Sequence, residues 1–256
     1  MILDLMSMPV TVKEDAYVTH VRQIMREGHR SLPVVDAQNR IKGMVTLTDI
    51  LKVTSTKSDV TVSGFIQQTG IVSPDADIMD AARIFGSTGF DIPVVRSHED
   101  STIIGVIDSE KLFNKLFNNL NFKMEKAIVG DIMTRTVRTC NADDPVSKVW
   151  LNMTQYGLSG YPIMKRKRLV GIITLKDLLS AGYVRLERED ERGGRDIYPP
   201  NVEKVMKTPV MTVVSDSTIW EAANLMRQYG IGRLPVVEDR KLIGIVDRQD
   251  LVKVII

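Results

Sequence analysis

A block of hydrophobic and polar positions recurs four times along the chain. In each copy, a strand with a proline among apolar residues leads into a short polar turn, then a glycine, two apolar residues and a polar triplet. The prolines are Pro33, Pro93, Pro162 and Pro235, and the glycines that follow them are Gly43, Gly105, Gly171 and Gly244. Recurrence of this kind predicts a repeat architecture, which has to be recognised before single motifs are interpreted.

A helix is predicted before each proline, because apolar residues at i, i+3, i+4 and i+7 share one helical face. The stripes are Val18, Val21 and Met25 in the first copy, Ile78, Ala81, Ala82 and Phe85 in the second, Val146, Val149, Trp150 and Met153 in the third, and Ile219, Ala222, Ala223 and Met226 in the fourth. Arg22 lies on the first stripe. We expect an aspartate to cap each helix or to interact with its positive end, and a left-handed glycine to end the helix. These are Asp15, Asp75, Asp143 and Asp216, and Gly28, Gly89, Gly157 and Gly230.

Two short strands and a second helix follow each predicted helix, so every unit is predicted to be β-α-β-β-α and the fold class α/β (α+β). A unit of about 55 residues buries only about 60% of its extended-chain surface and is marginal alone, so we expect the units to be stacked in pairs. The expected boundaries of the four repeats are residues 1–58, 59–120, 126–184 and 199–256, with a charged, solvated insertion at 185–198.

Composition narrows the classes of protein to which the chain can belong. Apolar residues make up 43% of it and charged residues 26%, which is typical of soluble globular proteins. The net charge of +2 argues against a strongly basic nucleic-acid coat and gives no attraction to anionic membranes. Without a membrane-length apolar run or a signal-peptide pattern, we expect a cytoplasmic protein. A lone Cys140 and three scattered histidines argue against disulfides and against a metal site.

The polar triplets have two interpretations, and the sequence leaves both open. In Thr46-x-x-Asp49 and Thr174-x-x-Asp177, the threonine and the acidic residue three positions later can cap the second helix of the repeat. The same arrangement can hold a ligand, because a helix N-terminus attracts phosphate and a carboxylate can accept both hydroxyl hydrogens of a ribose. Adenine would then lie in the apolar cleft between paired sheets.

The four copies of a proline strand followed by Gly-apolar-apolar-polar-x-x-Asp resemble cystathionine-β-synthase (CBS) domains, and the resemblance covers nearly the whole chain. It implies that consecutive repeats form pseudo-two-fold Bateman modules, whose clefts bind adenosyl ligands such as AMP, ADP, ATP or S-adenosylmethionine. Four repeats in one chain are similar to the γ subunit of AMP-activated protein kinase and to stand-alone archaeal proteins with four CBS repeats. This similarity implies two modules that form a disc.

The resemblance also implies which residues contact the ligand. The ribose contacts would be Asp49, Asp177 and Asp250, the phosphate contacts Thr46, Thr174, Arg30 and Arg233, and the adenine contacts Thr48, Ser159, Gly160, Tyr161 and Ile231. In repeat 2, Lys111 replaces the aspartate, and a cation cannot accept hydroxyl hydrogens. We therefore expect its cleft to be empty or to hold another kind of ligand. Asp247 replaces the threonine in repeat 4, and its carboxylate repels phosphate unless an arginine compensates.

The resulting hypothesis is a non-enzymatic regulatory and energy-sensing protein without a metal cofactor. Adenosyl ligands in the clefts of repeats 1, 3 and 4 would change the angle between modules or order a loop, and would thereby alter the affinity for an unknown protein or ribonucleoprotein. We also expect that two discs can pair as a homodimer. An alternative hypothesis is a scaffold that docks on RNA, a ribosome or an enzyme through Lys165–Arg168 and the Arg185–Asp196 insertion. An enzyme is disfavoured, because no nucleophile or acid/base pair can be assigned.

Overall fold

The computed structural model describes residues 2–53, 58–119, 127–181 and 200–256. The first half of the chain begins with a 3-10 turn, Ile2–Leu5, and the short strand β1, Met6–Ser7. Repeat 1 consists of β2 (Val12–Lys13), α1 (Val18–Met25), β3 (Ser31–Val35), β4 (Ile41–Thr46) and α2 (Leu47–Ile50). Repeat 2 consists of a 3-10 turn (Val62–Phe65), α3 (Ile78–Thr88), β5 (Ile92–Val95), β6 (Ile103–Ile107) and α4 (Ser109–Asn119).

The second half of the chain repeats this order of elements. Repeat 3 consists of α5 (Val129–Ile132), β7 (Cys140–Asn141), α6 (Val146–Gln155), β8 (Gly160–Lys165), β9 (Arg168–Thr174) and α7 (Leu175–Ser180). Repeat 4 consists of a 3-10 turn (Val202–Lys204), α8 (Ile219–Gln228), β10 (Arg233–Glu238), β11 (Lys241–Asp247) and α9 (Arg248–Ile255). In repeats 2 and 4 the first strand is reduced to one parallel bridge, between Val72 and Val94 and between Val213 and Val236. The prediction of four repeats in a mixed α/β fold is confirmed.

Consecutive repeats exchange short segments that cross to the partner sheet. We call these the crossing segments; they lie near the N-terminal ends of repeats 1 to 4 in turn and are Met6–Ser7, Ile66–Gln67, Met133–Thr134 and Met206–Lys207. The crossing segment of repeat 1 pairs with β6 of repeat 2, and that of repeat 2 with β4 of repeat 1. Repeats 3 and 4 make the same reciprocal exchange through β11 and β9. Repeats 1 and 2 therefore form a first module, and repeats 3 and 4 a second.

The glycine of each strand motif lies where a crossing segment passes over it. A Cβ on Gly43 would stand 2.6 Å from Ile66 Cγ2, and one on Gly105 would overlap the Met6 side chain. Glycine is required at these positions because only a residue without a side chain lets the two backbones approach so closely. The recurrence of the glycine is visible in the sequence, but its reason is an inter-repeat contact.

The hydrophobic cores join the two modules through their helices. One cluster of buried residues combines repeats 1 and 3, and the other combines repeats 2 and 4. Between repeats 2 and 4, α3 contacts α9 and α4 contacts α8. Between repeats 1 and 3, α2 contacts α6. Strand exchange within modules and helix packing between them together close a disc of four repeats. Each apolar stripe is thus covered by a repeat that is not its neighbour in sequence.

The predicted caps of the first helices are wrong, whereas the predicted glycine stops are confirmed. The N-caps are Tyr17, Asp77, Pro145 and Thr218, so Asp15, Asp75, Asp143 and Asp216 lie two residues too early. The N-cap residues themselves have extended backbone, and the early aspartates belong to the preceding turn, where Asp75 accepts a 2.5 Å hydrogen bond from Ser73 Oγ. All four glycines have positive φ, from 60° at Gly230 to 116° at Gly28.

The two basic segments of the alternative hypothesis have different positions. Lys165–Arg168 forms the turn between β8 and β9, where Arg166 and Lys167 adopt positive φ. The Arg185–Asp196 insertion lies outside the described residues. Among the helices that the structure describes, none has the length and apolar character needed to span a bilayer.

Candidate ligand-binding site

Four equivalent positions lie on the first turn of the second helix in each repeat. They are Asp49 on α2, Lys111 on α4, Asp177 on α7 and Asp250 on α9. Each stands beside the crossing segment of the partner repeat, whose matching residues are Gln67, Ser7, Lys207 and Thr134. The contact between these two positions decides whether the side chain on the helix is free to meet a ligand.

In repeat 1, Asp49 is fully engaged by its own protein. Its Oδ2 accepts hydrogen bonds from Thr46 Oγ1 at 2.6 Å and from Gln67 Nε2 at 2.5 Å. Its Oδ1 forms an ion pair with Lys52 Nζ at 2.8 Å. With the residue only 4% exposed, the carboxylate is buried and compensated. A ribose could bind there only by displacing these partners.

In repeats 2 and 3 the equivalent side chain also contacts the crossing segment of the partner repeat. Lys111 Nζ donates to Ser7 Oγ at 2.7 Å, so the lysine is fixed on the crossing segment of repeat 1. Asp177 Oδ2 accepts from Thr174 Oγ1 at 2.6 Å, and Asp177 Oδ1 pairs with Lys207 Nζ at 3.1 Å. Thr46 and Thr174 are both N-caps, accepting from the backbone N–H three residues later. The capping interpretation of these two triplets is therefore confirmed.

Repeat 4 differs, because Asp250 lines a cavity. The cavity has a volume of about 390 Å³ and lies between repeats 3 and 4. It is lined by Thr134, Thr136, Val137, Arg138, Tyr156, Leu158, Gly160, Pro162, Arg233, Ile245, Val246, Asp247 and Asp250. Desolvation, and after it the neighbouring charge of Asp247, raises the pKa of Asp250 to about 6. Asp250 Oδ2 accepts the Asp247 amide N–H at 3.0 Å, but among the described residues no lysine forms an ion pair with it as Lys52 does with Asp49.

The residues two positions before the strand prolines face each other across each module. In the second module these are Gly160 and Arg233, and a Cβ on Gly160 would stand 2.8 Å from Arg233 Nη1. Arg233 also donates to Ser159 Oγ. Desolvation lowers the pKa of the Arg233 guanidinium below that of a free arginine. The missing side chain at Gly160 thus makes room for a partly desolvated cation at the cavity wall.

In the first module the same two positions are Ser31 and Asp91, and they close on each other. Ser31 Oγ donates to Asp91 Oδ2 at 3.1 Å, and the Asp91 amide donates back to Ser31 Oγ at 3.2 Å. Asp91 Oδ1 accepts from the Ser109 amide at 2.9 Å. Burial raises the pKa of Asp91 above its ordinary value. An acidic, hydrogen-bonded pair therefore stands where the second module has a cation and open space.

The structure brings some of the predicted residues together and separates others. Asp250, Arg233 and Gly160 line the cavity, and Ser159 holds Arg233. Arg30 points towards the other module, with Nη1 3.3 Å from the position of a Cβ on Gly232. Three more predicted adenine contacts, Thr48, Tyr161 and Ile231, lie outside the cavity lining. Tyr161 is 3% exposed and belongs to the core of repeats 1 and 3.

Sequence reasoning missed an arginine and a tyrosine that line the cavity, Arg138 and Tyr156. The Arg138 guanidinium lies 3.6 Å from the ring centroid of Tyr156, a stacked cation–π contact. Arg138 is in an irregular stretch before β7, where no periodic pattern marks it. A weak signal exists for Tyr156, because it precedes the helix-ending Gly157 as Tyr229 precedes Gly230.

Comparison with known proteins explains the repeated geometry. Residues 2–55, 62–118, 129–183 and 202–256 each match the family model of the CBS domain. The chain belongs to the CBS-domain family. The four CBS domains coincide with the four structural repeats, so each module is a pair of CBS domains.

Archaeal relatives share the CBS architecture. An uncharacterized 33.4 kDa protein in a ribosomal RNA operon of Thermofilum pendens is 28% identical over 246 residues, 87% of this chain and 79% of the relative. Protein MJ1225 of Methanocaldococcus jannaschii is 25% identical over 269 residues, 95% of this chain and 94% of the relative. The chain spans only 59% of another relative from that organism, to which it is 28% identical over 261 residues.

Solved structures confirm the CBS fold over the whole chain. The crystal structure of protein MJ1225, described as a proposed archaeal homologue of g-AMPK, matches with a TM-score of 0.79 and 23% identity, covering 100% of this chain and 99% of that one. An uncharacterized conserved protein from Pyrococcus horikoshii matches with a TM-score of 0.66 and 21% identity, covering 98% of both chains. At these identities the likeness shows the fold.

Proposed function

We propose that the CBS protein is a non-enzymatic regulator that binds an adenine nucleotide in the cavity of its second module. The observation that carries this proposal is the meeting of Asp250 and Arg233 in one 390 Å³ cavity. Asp250 would accept the ribose hydroxyls, and Arg233 would pair with the phosphate. A guanidinium suits phosphate because it offers two parallel N–H donors.

The walls of the cavity support a nucleoside in particular. Val137, Leu158, Pro162 and Ile245 supply apolar surface against which a flat base can be buried. Arg138, stacked on Tyr156, adds a second cation to the lining. The repulsion expected between Asp247 and a phosphate is offset by these two arginines. Since a neutral nucleoside lacks the phosphate, the cations favour the nucleotide over adenosine.

The side chains equivalent to Asp250 in repeats 1, 2 and 3 support the proposal of a single site per chain, because other residues of the protein already contact them. Asp49, Lys111 and Asp177 already have partners on the protein, and the Ser31–Asp91 pair closes the first module. A ligand would have to displace these partners, and the cost would be largest at Asp49, which is buried. The proposal therefore narrows the three clefts expected from the sequence to the one that contains Asp250.

Isothermal titration calorimetry tests the proposed function with AMP, ADP, ATP and S-adenosylmethionine, and with UMP as the control for base recognition. We expect one site per chain for an adenine nucleotide and no heat with UMP. S-adenosylmethionine should bind more weakly than the nucleotides, because its cationic sulfonium would lie near Arg233 and Arg138. Absence of binding for all four adenosyl ligands would contradict the proposal.

The scaffold hypothesis has less support from the described residues. Lys165, the first residue of the basic turn, pairs with Glu203 Oε1 at 2.6 Å, which removes part of the positive charge offered to RNA. RNA binding that weakens with salt, and that is lost on replacing Arg166 and Lys167, would favour the scaffold instead. The partner, the homodimer and the cytoplasmic location stay predictions.

A further inference from the structure

The first turn of α9 faces two parts of the molecule at once. Asp247 and Asp250 line the cavity of the second module. The two residues between them, Arg248 and Gln249, reach repeat 2 in the first module. One helical turn therefore carries both the carboxylates of the cavity and the polar contacts between modules.

The turn is held together by its own hydrogen bonds. The Asp247 side chain accepts from the amides of Gln249 at 3.0 Å and Asp250 at 3.1 Å, and the Asp247 amide donates to Asp250 Oδ2 at 3.0 Å. Such a reciprocal capping box fixes the backbone and the two carboxylates relative to each other. A displacement of Asp250 is thus transmitted to Arg248 and Gln249 without a flexible link.

Arg248 makes the contact with repeat 2 directional. Its Nη1 forms an ion pair with Glu110 Oε2 at 2.9 Å, and its guanidinium lies 5.5 Å from the ring centroid of Phe113 on the same helix, α4. The Arg248 side chain is 6% exposed, and its Nε and Nη2 have no hydrogen-bond partner among the described residues. A buried guanidinium with one counter-charge depends strongly on the position of that charge.

Gln249 adds a second attachment to the same repeat. Its Nε2 donates to the carbonyl oxygen of Gly86 at 3.0 Å, and its Oε1 lies 3.2 Å from the position of a Cβ on Gly89. Both glycines belong to the C-terminal end of α3. The turn of α9 is therefore tied to both helices of repeat 2.

The matching turn of repeat 3 lacks this ion pair. There, Leu175 occupies the position of Arg248 and is buried in the core shared with repeat 1. Lys176, at the position of Gln249, has its Nζ 3.8 Å from the position of a Cβ on Gly28. Apolar contact of this kind has no preferred direction and can adjust to a small shift. The two interfaces between modules therefore differ in how they would respond to movement of a helix turn.

We propose that the Glu110–Arg248 ion pair couples ligand binding in the second module to the position of repeat 2 in the first module. This coupling rests on the proposed nucleotide site. A ligand that engages Asp250 shifts the first turn of α9, and the shift changes the Glu110–Arg248 geometry and the packing of α4. By linkage, the free energy by which the ligand alters the ion pair equals the free energy by which the ion pair alters the affinity for the ligand. Glu110 is a positioning residue, because it acts through Arg248 and lies outside the cavity lining.

The test compares Glu110→Gln with Lys176→Met, its matched control in the other interface. Glu110→Gln should weaken AMP binding about fivefold to tenfold in calorimetry, and Lys176→Met should leave it within about twofold. Arg248→Met, which replaces the buried ion pair with an apolar side chain, should also keep the fold and lose the coupling. Unchanged affinity in both Glu110→Gln and Arg248→Met would overturn the proposal.

Amide hydrogen exchange separates this proposal from the proposed function. In the ligand-free protein, Glu110→Gln should speed exchange of the amides in the first turn of α9, and in the wild type AMP should slow exchange in the first turn of α4. If AMP fails to bind the wild type, the proposed function falls, and exchange in the ligand-free Glu110→Gln variant still decides whether the ion pair holds the turn. Exchange equal to that of the wild type would overturn the mechanical link.

Discussion

The two modules are built from the same units, but hydrogen bonds cross the cleft of the first module, whereas the second contains a cavity. In the first module Ser31 and Asp91 hydrogen-bond across the cleft, and the Gln67 side chain donates a hydrogen bond to Asp49. In the second module Gly160 and Arg233 stand at the positions of that pair. Thr134, at the position that Gln67 has in repeat 2, lines a cavity of about 390 Å³ together with Asp250.

This difference teaches that a repeated backbone does not imply a repeated site. Two pairs of equivalent positions differ between the modules: Ser31 corresponds to Gly160, and Asp91 corresponds to Arg233. These differences change the size and the charge of the cleft. A carboxylate that is ion-paired within its own protein is a structural group, whereas one without an ion pair that lines a cavity is available for a ligand. Among the ribose candidates, the described residues give ion pairs to Asp49 and Asp177, and Asp250 is the one that lines the cavity.

The largest expected effect comes from removing the carboxylate of the open cleft. Asp250→Ala should weaken AMP binding about 100-fold, because two charge-assisted hydrogen bonds to the ribose would be lost. Asp49→Ala, the matched change in the closed module, should leave the affinity unchanged. Titration calorimetry measures both. Equal losses in the two variants would mean that the modules do not differ in the way described.

A smaller effect is expected from filling the space beside Arg233. The Cβ of Gly160→Ala would stand 2.8 Å from Arg233 Nη1, so the guanidinium has to move. We expect AMP affinity to fall about 20-fold through the lost phosphate contact, while adenosine affinity stays the same. Ser31→Ala, at the equivalent position of the first module, serves as the control. A fall in adenosine affinity equal to that of AMP would show that Arg233 does not contact phosphate.

The smallest effect concerns pH, and it follows from the raised pKa of Asp250, about 6. Asp250 must be ionised to accept both ribose hydroxyls, so affinity should be full above the pKa and should fall as the pH decreases through it. Between about pH 7.5 and about pH 5 we expect a loss of about tenfold. Asp247, Lys253 and Arg233 are the charged groups that act with Asp250, and their mutual effects shift the midpoint.

Adenosine is the ligand for this pH series, because it has no phosphate that titrates in the same range. The Asp250→Asn variant should show a flat profile, since its side chain keeps the same charge throughout. A wild-type profile that is also flat would mean that the Asp250 carboxylate does not bind the ribose.

Much of the local structure could be predicted from periodicity. The apolar stripes, the proline strands and the helix-ending glycines depend on residues within one repeat, and the structure confirms them. The helix starts could not be placed to the residue, because the aspartates at Asp15 and its counterparts belong to the turn that precedes each helix, and the N-cap follows two residues later. The crossing segments were missed because their partners lie in the neighbouring repeat, and a two-residue strand has no periodicity.

The amino-acid sequence by itself determined that the chain folds as four α/β units of one family, since the pattern that specifies each unit is local and recurs four times. Only the tertiary structure decided which cleft is open. Gln67 meets Asp49, Ser31 meets Asp91 and Arg233 meets Gly160 between two different repeats of one module. Whether such side chains compensate each other or leave a cavity depends on distances and burial, which hydrophobic patterning does not encode.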